Sequence, residues 1–271
     1  MPKTKHLLIN RLAIGGLILL FGGLSYAPSR AETPAETWDG RDRALQVPIL
    51  MYHYVDTPPA NADAVLRDLT VTRTNFVDQV KWLKDQGYES ISPDQLIGAL
   101  WQGKKLPAKP VMFTFDDGYA NAYYNVTPIL MQSGYTGTFF VITDWVDQAK
   151  LGYLTWPLAR EMLHAGMSIQ DHTATHEDMR NRSHEWYLDE IVDSAADIEK
   201  ETGIKPRFFC YPFNGYDGIA IRELQAAGFV AGFTENDTRY EFAANTMHLP
   251  RIRVRGSMTL GMFAEAVKDS G

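Results

Sequence analysis

The chain has 271 residues, a formal net charge of −7 and a single cysteine, Cys210. One cysteine excludes an intrachain disulfide, and an acidic balance argues against a nucleic acid or an anionic lipid surface as partner. The length suits one large domain with a sizeable core.

Lys3, Lys5 and Arg11 flank an apolar run of 13 residues, 12–24, and Ser29-Arg30-Ala31 places small residues around a cleavage point. That is the layout of a secretory signal peptide over 1–31, and the run is shorter than the roughly 20 residues of a bilayer span. The expectation is export to the periplasm or cell surface. The alternative is an uncleaved N-terminal anchor, which would be the only membrane contact. Cleavage after Ala31 leaves 22 basic and 33 acidic side chains, a net charge of −11. Residues 32–45 are polar and read as a linker; 46–271 reads as one catalytic domain.

An apolar strand is expected over 47–52, ending at His53. Phe76, Val80 and Leu83 recur at helical spacing up to Gly87. Ser92-Pro93-Asp94 is a cap followed by proline at the first helical position, opening a helix to about Trp101. A buried strand over 110–115 runs into Asp116-Asp117-Gly118. A helix over 124–131, a strand over 138–142 and a helix through Leu158, Met162 and Leu163 follow. Met167-Ser168-Ile169 leads to His172. Ser183 caps a long helix over 184–202, with Leu188, Ile191, Ala195 and Ile198 on one face. A strand over 208–211, a helix over 219–227, strands over 229–233 and 249–254 and a helix over 260–267 complete the chain. This alternation predicts a parallel sheet with helical crossovers, in an α/β fold. The polar clusters fall just after strands, and strand ends converge on a common mouth in a barrel.

Asp116 and Asp117 can both face one pocket if the chain turns at Gly118; one carboxylate can then hold a metal while the other takes a proton from water. Alone, Asp-Asp-Gly reads first as a surface turn. His172 and His176, four apart, reach one ion if the backbone coils between them. With one carboxylate they make three ligands and leave positions open. Tyr211-Pro212-Phe213 is a stiff turn that can aim a backbone N–H at an oxyanion.

Together, Thr114-Phe115-Asp116-Asp117-Gly118-Tyr119, His172-Thr173-Ala174-Thr175-His176 and Tyr211-Pro212-Phe213 resemble three successive motifs of the polysaccharide deacetylases, the family 4 carbohydrate esterases with a NodB homology domain. Ile49-Leu50-Met51-Tyr52-His53 and Leu249-Pro250-Arg251-Ile252 resemble an exported bacterial branch. The resemblance implies a distorted, incomplete (β/α) barrel of about seven strands. It implies Asp117, His172 and His176 as ligands of one divalent metal ion, with zinc expected and cobalt or nickel as alternatives. It implies Asp116 as general base and the Phe213 backbone N–H as oxyanion donor, with Tyr211 in the same substrate-binding turn. The partner implied is an acetylated polysaccharide, hydrolysed most naturally at N-acetylglucosamine units. An acetylxylan-type O-deacetylase and a catalytically silent glycan-binding module of the same fold are the alternatives.

One departure stands out. Many members carry an arginine two residues before the proline of the third motif, where it holds the base; here that position is Cys210. Arg251 is the expected substitute, and His53, at a strand end, is a further expected catalytic residue. His248, Asp144 and Asp171 are weaker candidates near the site. Tyr119, Trp145, Trp156 and Tyr216 are candidates for lining a sugar groove or for plain packing.

Overall fold

The computed structural model describes residues 37–236 and 240–268. The segment read as a signal peptide lies outside these residues. Twelve strands follow in chain order: β1 (Ala44–Leu45), β2 (Ile49–Tyr52), β3 (Tyr54–Val55), β4 (Thr70–Val71), β5 (Glu89–Ser90), β6 (Pro110–Phe115), β7 (Thr138–Val141), β8 (Ser168–Asp171), β9 (Phe208–Cys210), β10 (Ala231–Phe233), β11 (Glu241–Phe242) and β12 (Ile252–Arg253). The main sheet runs β10-β9-β8-β7-β6-β2-β12, with every pairing parallel. β5 pairs with the first half of β6, and β7 takes over along its second half.

The sheet curls until its two edges meet. Leu249 forms a bridge to Phe233 of β10, and Thr234 N–H donates to the Leu249 carbonyl at 2.9 Å. Arg251 N–H donates to the Asn236 carbonyl at 3.0 Å, and from the very next residue β12 pairs with β2. One short stretch thus spans the gap between the edges, through single bonds rather than a full ladder. The result is the expected incomplete barrel of seven parallel strands.

Period-two alternation decides what faces inward. Ile49, Met112, Phe140, Phe208, Cys210, Phe233 and Leu249 fill the interior. Leu50, Tyr52, Phe113 and Phe115 pack outward against the helices, including Phe76, Val80 and Leu83 of Arg73–Asp85. The same parity puts His53, Asp116, His172 and Arg251 at the inner mouth. It turns Phe209 and Tyr211 outward, into a separate cluster with Tyr187, Ile191 and Leu224.

Helix starts follow the expected chemistry. Ser92 accepts from Gln95 N–H, and the Gln95 side chain accepts from Ser92 N–H, ahead of Pro93. The helix expected over 124–131 begins earlier, with a π-turn over Ala122–Val126 before Thr127–Ser133. The long helix over 184–202 is continuous but widened by a π-turn over Leu188–Asp193. Within it Leu188 is exposed, whereas Tyr187 and Glu190 are buried. Ile191, Ala195 and Ile198 are buried as expected, and Tyr187 takes the place read for Leu188.

Among the short features that escaped the sequence reading are the helix Ala64–Leu69, capped by Asp63, and the strands β3 and β4 beside it. The described part of the segment read as a linker is also attached. β1 pairs antiparallel with β11, and Arg43 pairs with Asp39 and donates to the Leu100 carbonyl. No helix among the described residues is long and apolar enough to cross a membrane.

Glu241 of β11 is buried and accepts from Val47 N–H at 3.0 Å. Burial pushes its carboxyl up to about 8. The folded chain thus holds this proton at pH values where the unfolded chain has released it. Stability is lost as pH rises from the ordinary glutamate range through 8. Glu241→Gln keeps an acceptor for Val47 and removes the charge. Urea denaturation should show Glu241→Gln nearly neutral at pH 5 and stabilising by roughly 2–4 kcal/mol at pH 8.5. Equal effects at both pH values would contradict this account.

Candidate active site

A cleft of about 490 Å³ opens at the carboxyl ends of the strands, lined by His53, Asp116, Asp117, Tyr119, His172, His176 and Phe213, with Val65, Leu69, Glu235 and Arg253 at its other wall. Asp116 follows β6 directly. Asp117 then adopts φ 69° and Gly118 φ 70°, and this left-handed turn swings the second carboxylate into the same cleft. A side chain at Gly118 would press on Val141 at 3.1 Å. Thr173 (φ 68°), His176 (φ 65°), Phe213 (φ 55°) and Asn214 (φ 54°) are also left-handed. Such conformations cost on the order of 1–3 kcal/mol each and gather where surrounding contacts enforce them.

Three side chains converge. Nε2 of His172 and Nε2 of His176 lie 3.3 and 3.2 Å from Asp117 Oδ1. His172 Nδ1 lies 2.7 Å from the Cys210 carbonyl, which can only accept. That nitrogen carries the proton, so Nε2 of the neutral ring offers its lone pair to the cleft. Asp117 Oδ1 is buried and has no hydrogen-bond partner. Lone pairs aimed at one another repel unless positive charge lies between them. Ligand atoms about 2.0–2.1 Å from a tetrahedral ion sit roughly 3.3–3.4 Å apart, close to the spacing seen. Although burial opposes its charge, the imidazoles hold the Asp117 carboxyl well below its usual range, so the acid offers the negative charge that such a cation needs. The donor set fits a divalent cation.

Asp116 has a different partner. Arg251 is fully buried, and its Nη1 and Nη2 donate to Asp116 Oδ1 and Oδ2 at 2.7 and 2.8 Å. Nη1 also donates to Thr114 Oγ1 at 3.1 Å, Nη2 to Cys210 Sγ at 3.1 Å, and Nε to the Thr234 carbonyl at 2.9 Å. All five N–H donors of the guanidinium are used, a geometry lysine cannot reproduce. Burial raises the Asp116 carboxyl, and Arg251 more than offsets this, leaving it below the ordinary range. His53 Nε2 stands 3.9 Å from Asp116 Oδ2.

The polysaccharide deacetylase family profile matches residues 103–232. YxkH of Bacillus subtilis is 26% identical over 242 residues, covering 88% of this chain and 83% of that protein. The poly-β-1,6-N-acetyl-D-glucosamine N-deacetylase of Escherichia coli is 25% identical over 260 residues, covering 80% of this chain but 38% of that enzyme. The structure of Streptococcus pyogenes deacetylase PplD in complex with acetate superposes with a TM-score of 0.77 at 29% identity, covering 83% of this chain and 99% of that one. The family profile, the relatives and the solved structure that match this chain are all deacetylases, and the cleft is its candidate active site.

The structure brings Asp116, Asp117, His172, His176, His53 and Phe213 to one cleft. Arg251 lies beneath them and reaches the cleft only through Asp116, so it positions that carboxylate rather than lining the cleft itself. Tyr211 is a correction. Its ring is buried outside the barrel, its hydroxyl donates to the Met247 carbonyl at 3.0 Å, and it stacks on Tyr216. Parity explains this: Cys210 takes the inward position, so Tyr211 must point out. Phe213 is 63% exposed, with its ring 4.5 Å from that of His176. Tyr119 lines the cleft and stacks on Tyr54, and Trp145 lies 5.9 Å from the His176 ring. Trp156 is buried and donates to Asp147. His248 packs on Tyr216, away from the cleft lining. Asp171 accepts from Thr173 N–H and the Ser194 hydroxyl beneath the histidine loop, and burial raises it to about 7.

The opposite wall went unread. Arg253 pairs with Glu235 at 2.9 Å and with Asp68 at 3.3 Å, and Asp68 also pairs with Arg255 at 2.7 Å. These ion pairs clamp the helix Ala64–Leu69 beside the mouth. Only the Leu-Pro-Arg-Ile stretch near Arg253 carried any signal.

The buried pair predicts a non-additive pattern. Arg251→Met leaves Asp116 charged, buried and unpaired, and should destabilise by about 3–5 kcal/mol in urea denaturation at pH 7. Adding Asp116→Asn should recover most of that loss. A double variant as unstable as the single would show that Arg251 stabilises by some other route.

Proposed function

We propose that this chain is an exported, metal-dependent deacetylase that removes acetyl groups from the N-acetylglucosamine units of a polysaccharide. The observation that carries this reading is the pairing, in one cleft, of a fully held carboxylate, Asp116, with the converging Asp117, His172 and His176. The named activity of the Escherichia coli relative supports the N-acetyl bond and the polymer, although this chain spans 38% of that enzyme's length. The basic and apolar opening of the chain supports export.

Asp117, His172 and His176 would hold the ion, with zinc best suited to two imidazoles and one carboxylate, and cobalt or nickel also compatible. When bound, it supplies Lewis acidity to the acetyl carbonyl and lowers the pKa of water. Asp116 takes the proton as the water oxygen bonds to the carbonyl carbon. Arg251 keeps Asp116 ionised and aimed. The Phe213 N–H would donate to the developing oxyanion. His53, across from Asp116, hands a proton to the departing nitrogen as the C–N bond breaks, releasing acetate and a free amine.

Two measurements test this. Acetate release from poly-N-acetylglucosamine, chitooligosaccharides, peptidoglycan and acetylxylan should depend on added zinc or cobalt and be strongest on N-acetylated polymer. Asp116→Asn should lower kcat by about 10²–10⁴-fold. Activity that survives Asp116→Asn removes the base from this scheme. His53→Gln should slow amide hydrolysis far more than hydrolysis of an activated aryl acetate, whose leaving group needs no proton. Equal losses on the two substrates would rule out the proton-donor role.

A further inference from the structure

Four consecutive backbone N–H groups link the two histidines. Thr173 N–H donates to Asp171 Oδ1 at 2.9 Å, and His176 N–H to Thr173 Oγ1 at 2.8 Å. The two between them go to one residue of a different element. Ala174 N–H donates to the Glu190 carbonyl at 3.2 Å, and Thr175 N–H to Glu190 Oε2 at 2.9 Å. The Thr175 hydroxyl also donates to Glu190 Oε1 at 2.5 Å. Glu190 is 5% exposed, so its carboxylate spends both oxygens on this loop in a buried setting.

Glu190 sits in the π-turn over Leu188–Asp193. Widening a helix by one residue tilts carbonyls away from their usual donors and re-aims side chains, and such turns gather at functional sites. Here a helix carbonyl accepts from outside the helix and a carboxylate points inward, from the same residue. The loop it grips is the one whose left-handed Thr173 and His176 bring both imidazoles to Asp117. A β-branched residue in that region is held there only by surrounding contacts.

We propose that Glu190 is a positioning residue for the metal centre, gripping Ala174 and Thr175 so that the turns on either side hold His172 and His176 on Asp117. This rests on the reading of Asp117, His172 and His176 as the ligand set. Outer contacts of this kind typically change metal affinity by about 10–100-fold. Glutamine can keep the grip, because its oxygen accepts from Thr175 N–H and its amide donates to the Thr175 hydroxyl. Alanine cannot.

The test is zinc affinity of the full chain by chelator competition, with the absorption spectrum of the cobalt-loaded chain as a report on ligand geometry. Glu190→Ala should weaken zinc binding roughly 10–100-fold and alter the cobalt spectrum. Glu190→Gln should stay within about threefold of the parent and keep its spectrum. Thr175→Val, which removes one donor and preserves bulk, should fall between them and keeps the idea testable if the alanine variant does not fold. Unchanged affinity and spectrum in Glu190→Ala, or in Thr175→Val where the alanine variant is unfolded, overturn the role of Glu190 while leaving the ligand set intact. Failure of the parent chain to bind zinc or cobalt overturns the ligand set itself.

Discussion

The guanidinium of Arg251 is the point on which this structure turns. It occupies the stretch that joins the two edges of the curled sheet, and it reaches from there to the end of β6 to grip Asp116. A charge so deep is tolerable only because every donor has a partner and an opposite charge lies beside it. The partners come from far apart in sequence: Thr114 on β6 and Asp116 just after it, Cys210 on β9 and Thr234 after β10. One residue therefore reports on whether the strands are in register. The same contact that closes the barrel keeps the candidate base ionised.

Around that anchor the chemistry divides cleanly between two adjacent carboxylates. Asp116 faces a permanent cation, the Arg251 guanidinium, on both of its oxygens. Asp117, rotated by its left-handed backbone, faces two imidazoles instead. The single sulfur of the chain is absorbed in the same arrangement. Cys210 takes a guanidinium N–H on its Sγ and the His172 proton on its carbonyl, and burial raises the thiol out of the reactive range. The position where an arginine was expected holds this small residue, and the Arg251 guanidinium reaches it from another part of the chain.

Much of the fold was legible because strands and helices alternate with strong caps and stops, as at Ser92-Pro93 and the run 110–115. The site residues legible in sequence were those with both a motif and a strand end: Asp116, Asp117, His172, His176 and His53. Arg251 was legible only through the gap that Cys210 leaves. Tyr211 was misread because a motif names residues without saying which side of the strand they face, and parity relative to Cys210 decides that. Glu235, Arg253 and the helix Ala64–Leu69 were silent, since a six-residue helix is too short for periodicity and ion pairs between remote residues leave no local pattern. Glu190 reads as one more acid on a helix surface; only the π-turn turns it inward.

The join between the sheet edges carries a further consequence. It is held by a few isolated bonds around Leu249 and Arg251, whereas β10 on one side is tied to β9 over three consecutive residue pairs. Openings begin where the bonding is sparsest, and the least protected amides of the sheet should be these. Each such opening also withdraws the guanidinium from Asp116. On heating, the protein would then lose its working base while most of the barrel still stands, so its useful lifetime is set by the rate at which one seam parts.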